Sequence, residues 1–102
     1  MIAIGKFINI DCSNNFLIPV KWRRMLQIEE GNLVKFTIEN NNILVLYSKE
    51  NENSIDVMST VGRGGNIYIP KEIRNYFYRK GINDFHVYIN EETKKIVIKP
   101  DF

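Results

Sequence analysis

Apolar and polar residues alternate along most of this chain, and twice the alternation gives way to a helical spacing. Residues 2–10 read Ile-Ala-Ile-Gly-Lys-Phe-Ile-Asn-Ile, with Ile8 and Ile10 alternating against Asn9, which predicts a first strand. Asp11-Cys12-Ser13-Asn14-Asn15 is turn chemistry, because Asp, Ser and Asn hydrogen-bond their own backbone and tolerate left-handed geometry. Phe16 to Ile18 resumes the strand and is expected to close a hairpin on the first. Pro19 suits the first position of a helix, where its missing N–H costs nothing. Trp22, Met25 and Leu26 then recur at helical spacing and predict a buried face, leaving Lys21, Arg23 and Arg24 to lean outward. Glu29-Glu30-Gly31-Asn32 supplies a stop with a residue free to take positive φ.

A second hairpin follows. Val34, Phe36 and Ile38 alternate with Lys35 and Thr37, Asn40-Asn41-Asn42 turns the chain, and Ile43 to Tyr47 returns. Residues 49–56 carry Lys, three acidic residues, two Asn and Ser, which is linker composition. The pattern then restarts: a strand over Val57 to Val61, a turn at Gly62-Arg63-Gly64-Gly65-Asn66, and a strand over Ile67 to Ile69. A helix from Lys71 to about Lys80 buries Ile73, Tyr76 and Phe77, and Gly81-Ile82-Asn83-Asp84 stops it. Phe85, Val87 and Ile89 begin the last hairpin, whose loop runs from Asn90 to Lys95 and whose closing strand, Ile96 to Lys99, ends before Pro100.

Pro70 lies 51 residues after Pro19, and the same offset places Arg74 on Arg23, Phe77 on Leu26 and Phe85 on Val34. The chain reads as two repeats, residues 1–48 and 57–102, joined by the linker 49–56. One repeat alone is short for a stable core, so the two are expected to share one domain.

Charge adds a pattern that the formal total of +2 conceals. Residues 19–26 carry +3 from Lys21, Arg23 and Arg24, and residues 62–80 carry +4 from Arg63, Lys71, Arg74, Arg79 and Lys80 against Glu72. The remainder is −5, so positive charge gathers on the equivalent segment of each repeat, the footprint of a polyanion partner. A solvated helix face, or arginines paired with Glu29, Glu30 or Glu72, is the plainer alternative.

Catalytic and cofactor chemistry finds little purchase. Cys12 is the only cysteine and His86 the only histidine, and His86 alternates onto the strand face opposite the apolar one. No cofactor, metal site or enzymatic activity is expected. Gly62 to Asn66 lacks the Gly-Lys-Ser/Thr of a nucleotide-binding loop, although its backbone N–H groups suit a phosphate. Trp22 reads as core rather than as a base-stacking platform. A single cysteine, no secretory pattern and no apolar run of membrane-spanning length predict a cytoplasmic protein without a membrane partner.

Strand, polar turn, strand ending Ile-Pro, helix reading apolar-Arg-Arg, acidic-Gly stop and final hairpin together resemble the AbrB/SpoVT swapped-hairpin family, which includes MraZ-like and MazE-like proteins. The first repeat carries the resemblance through Ile18-Pro19, Trp22-Arg23-Arg24 and Ile28-Glu29-Glu30-Gly31, and the second through Ile67 to Arg74 and again from Phe85 onward. The resemblance implies a mainly β fold with short helices, a β-barrel in which hairpins of the two repeats interlock. It also implies a nucleoid-associated transcription regulator that contacts double-stranded DNA, as a homodimer or higher homo-oligomer. Carried over by position, the contacts are Arg23, Arg24 and Arg74, with Lys21 and Lys71 on the same helical turns. The family's turn arginine is replaced by Asn15 and Asn66, and Arg63 stands three residues ahead of the second. The competing expectation is a protein-interaction module, antitoxin-like or a heteromeric partner of another swapped-hairpin protein, that has no DNA contact.

Overall fold

The computed structural model of the protein describes residues 1–10, 14–48 and 57–100. The linker expected at 49–56, and residues 11–13 of the first turn, lie outside the described residues. The elements run β1 (Ile2–Asn9), β2 (Asn15–Leu17), α1 (Val20–Leu26), β3 (Leu33–Glu39), β4 (Ile43–Ser48), β5 (Met58–Thr60) and β6 (Asn66–Tyr68). They finish with α2 (Lys71–Arg79), β7 (Asp84–Asn90) and β8 (Lys95–Pro100). The fold is mainly β, as the alternation predicts.

Six strands form an open antiparallel sheet in the order β1-β7-β8-β4-β3-β5, and β2 and β6 make a separate two-stranded ribbon. The hairpin expected between β1 and β2 does not form. β2 pairs instead with β6, Phe16 facing Ile67, while β1 pairs with β7 and β5 with β3. Alternation specifies which face of a strand is buried and leaves its partner open, and here Phe16 and Ile67 are buried together only if the two segments meet. Apart from the β3–β4 and β7–β8 hairpins, each strand pairing joins residues before 49 to residues after 56.

One core draws on both halves. Phe16, Leu26, Val34, Phe36, Leu44 and Leu46 pack in the same cluster as Ile67, Ile73, Phe77, Phe85, Val87 and Ile98. Phe77 meets Phe85 edge to face, with ring centroids 4.9 Å apart. Both helices and the ribbon therefore lie on one side of the large sheet.

Helix ends differ from expectation in detail. Pro19 is the N-cap of α1 rather than its first helical residue, with extended ψ of 143°, and Pro70, at ψ 150°, is likewise the N-cap of α2, which begins at Lys71 as expected. Gly81 stops α2 as predicted, at φ 71°, and Ile82 N–H reaches back to the Phe77 carbonyl at 3.0 Å. α1 is shorter than its stop signal suggested: Gln27 takes the left-handed position at φ 58°, and Ile28 N–H donates to the Arg23 carbonyl at 2.8 Å. Gly31, at φ 89°, belongs to a later turn whose N–H donates to Val61. Ile28, just past the turn, is fully buried, and left-handed Gln27 turns the chain so that its side chain enters the core.

Candidate nucleic-acid interface

The β2–β6 ribbon organises the candidate site. Its strands are antiparallel and centred on Phe16 opposite Ile67, so each leads to its proline, three residues on, at opposite ends of the ribbon. At about 3.3 Å per residue the two helix starts are separated by roughly 20 Å. The same pairing sets the Arg63–Gly65 turn, which precedes β6, beside the start of α1, and sets Asn14 beside the start of α2.

Two expected contacts have another duty. Arg23 is half-buried, and its Nε donates to the carbonyl of Ile18 at 2.9 Å. Arg74 repeats the arrangement with Ile69 at 3.1 Å. Each arginine folds back across its proline and ties the helix to the strand end before it. Arg23 also lies directly over Gly65, leaving no room for a Cβ there. Among the described residues both arginines are held by backbone carbonyls rather than by Glu29, Glu30 or Glu72. A long, flexible stem allows this return, which helical spacing alone does not reveal.

The remaining basic candidates face solvent. Arg24, Lys21, Arg63 and Lys71 are exposed, and Lys21 Nζ stands 4.9 Å from the ring centroid of the half-buried Trp22. One contributor escaped the sequence reading. β1 breaks register between Ala3 and Lys6, where Gly5 takes φ 70°, and Lys6 then lines a shallow depression with Leu17, Pro19, Val20, Arg23 and Gly64. Gly-Lys interrupting an apolar alternation is the sequence signal for that bulge.

The two ends of the ribbon are unequal. One gathers Lys6, Lys21, Arg23, Arg24 and Arg63; the other has Lys71 and Arg74 with Glu72 between them. Between the ends the ribbon's outer face presents Leu17 and Tyr68, 48% and 50% exposed, and Val20 at the start of α1 is 51% exposed. Tyr76 OH and Lys80 Nζ donate to the Asn41 carbonyl at 2.9 and 2.7 Å, so Lys80 clamps the β3–β4 hairpin loop.

Among the described residues no cluster of His, Cys, Asp or Glu has metal-binding geometry, and no helix is long and apolar enough to cross a membrane. No protein-family profile, characterised protein or solved structure matches this chain.

Proposed function

We propose that the chain binds duplex DNA as a transcription regulator of the AbrB-like swapped-hairpin type, two repeats in one chain building the barrel. Support for the repeats comes from the pairing itself. Exchanging β1 with β5, β3 with β7 and β4 with β8 reverses the sheet order into itself, and the Ile8–Phe85 pair becomes Val34–Ser59 at the offset of 51. The observation that carries the DNA reading is the ribbon flanked at both ends by basic helix starts, with exposed Arg24, Arg63, Lys21 and Lys71. Exposed cations bind phosphate by releasing counterions, and guanidinium forks add bidentate contacts. Arg23 and Arg74 enter as positioning residues that hold the helices on the ribbon through the Ile18 and Ile69 carbonyls.

Affinity for a library of duplexes, measured against salt, tests the proposal. Wild type should bind with a steep salt dependence, and Arg24→Ala should flatten the log–log slope by about 0.9 per lost phosphate contact. Absence of salt-dependent binding by folded wild-type protein across the library would sink it. The protein-interaction reading rests on one specific observation, the exposed Leu17, Val20 and Tyr68 on the same surface. Under that reading folded wild type does not bind DNA, and Leu17→Lys abolishes a nuclease-resistant association with a protein partner.

A further inference from the structure

The large sheet has a second face, turned away from the helices and the ribbon. Outward positions of β7 are Asp84, His86 and Tyr88, and those of β4 and β8 include Val45, Tyr47, Lys95, Val97 and Lys99, since their neighbours Phe85, Val87, Leu44, Leu46, Ile96 and Ile98 all point into the core. Val45 and Val97 face each other at the middle, 2% and 8% exposed, yet neither belongs to the core cluster. Around them stand Thr37, across from Val45, Tyr88, across from Val97, and a set of aromatic and cationic side chains. Lys35 and Lys95 Nζ lie 5.8 and 5.2 Å from the Tyr47 ring centroid, and Lys99 Nζ lies 5.3 Å from that of Tyr88. Phe7, 51% exposed, stacks edge-on with His86 at 5.3 Å.

We propose that this face binds single-stranded nucleic acid, its tyrosines stacking bases and its lysines taking the phosphates. An ordinary solvated sheet face alternates polar residues outward, whereas this one sets aromatic rings beside an aliphatic centre. Carboxylates stand at its margins among the described residues: Glu39 pairs across from Ile43 at one end of β3, Glu91 and Glu92 lie in the β7–β8 turn before Lys95, and Asp84 accepts from Asn9 Nδ2 at 2.6 Å at another corner. A second copy of the chain is the wrong occupant, because apposing two such faces would bring Lys35, Lys95 and Lys99 against their own kind. A duplex is wrong too, since its bases are stacked on one another and offer no face to a flat sheet. Tyr47 and Tyr88 are separated by two strand spacings and one two-residue step, roughly 12 Å, so they take different bases rather than sharing one. On binding, each lysine exchanges the ring for a phosphate oxygen and the vacated ring face receives the base.

The test is anisotropy of a labelled oligothymidylate of about 12 nucleotides against protein concentration and salt. Wild type should bind. Tyr47→Ala and Tyr88→Ala should each weaken binding by about five- to a hundredfold, while Tyr88→Phe keeps it, and Lys95→Gln or Lys99→Gln should flatten the salt slope by about 0.7. Ring-proton shifts of Tyr47 and Tyr88 on titrating the wild-type protein give the same answer without any variant, should an alanine variant fail to fold. The proposal is overturned if folded wild type does not bind, if the tyrosine variants bind unchanged, if the ring protons do not move, or if polyglutamate or a duplex displaces the oligonucleotide as readily as unlabelled oligothymidylate.

Discussion

Arg23 lies across Gly65, joining α1 to the turn that leads into β6, and a Cβ at residue 65 would meet the Cδ, Cζ and Nη1 of that arginine where it now lies. The first expected outcome concerns that contact. Gly65→Ala sets a methyl group against the far end of the Arg23 side chain, which must swing aside and give up its bond to the Ile18 carbonyl, and it also strains a residue at φ 86°. Gly64→Ala strains a similar φ of 73° but meets open space. Urea denaturation should show the Gly65 variant destabilised by about 2–4 kcal/mol and the Gly64 variant by about 1 kcal/mol. Equal losses would mean that Arg23 swings clear of Gly65 at no cost.

The two arginines that adjoin in α1 should separate stability from binding. Arg23→Ala removes a donor to the Ile18 carbonyl and should cost about 1–2 kcal/mol of stability, with Arg74→Ala losing a similar amount at Ile69. Arg24 is exposed, so Arg24→Ala should leave the denaturation midpoint within about 0.5 kcal/mol of wild type and lower DNA affinity instead. Paired denaturation and anisotropy measurements check this. A stability loss at Arg24 matching that at Arg23 would contradict the assigned roles.

Much of the architecture was legible in the hydrophobic pattern, because alternation and helical spacing report directly on which face is buried. Val34, Phe36 and Phe85, expected to point inward, do so, and His86 faces solvent as its position between Phe85 and Val87 implies. Partner choice was not legible. Phe16 satisfies the same pattern beside Ile8 as it does beside Ile67, and only the burial shared by both halves decides between them. The candidate site was half readable for a similar reason. Exposed Arg24 and Lys71 follow from helical spacing, but the return of Arg23 and Arg74 to a strand carbonyl depends on side-chain length, and the placement of Lys6 depends on a bulge at Gly5.

Gln27 offers a gain of stability. It holds the left-handed position that ends α1, at φ 58°, where Gly81 does the same for α2. A residue with a Cβ is strained there, and glycine is not. Its side chain is exposed, so nothing is lost from the core on removing it. Gln27→Gly should raise stability by about 0.5–1 kcal/mol, less the entropy of a more flexible unfolded chain, and the melting temperature by a few degrees. A fall in melting temperature would show that Gln27 makes a contact worth more than its strain.

Unequal ribbon ends predict an unequal footprint. Lys6, Lys21, Arg24 and Arg63 stand at one end, while Lys71 and Arg74 share the other with Glu72. Under the proposed DNA reading each end would make a different number of phosphate contacts, and the ends are roughly 20 Å apart, well short of the 34–36 Å between successive major grooves on one side of a duplex. A single chain should therefore protect an asymmetric stretch within one helical turn. Removing charge from the first end, as in Arg63→Ala with Arg24→Ala, should reduce the salt slope by about 1.8, and Lys71→Ala by about 0.9. Hydroxyl-radical footprinting on a bound duplex reads the asymmetry directly, and salt titration reads the charges. A palindromic footprint from a chain that is monomeric in solution would show that the two ends engage DNA equivalently, against the distribution of charge around the ribbon.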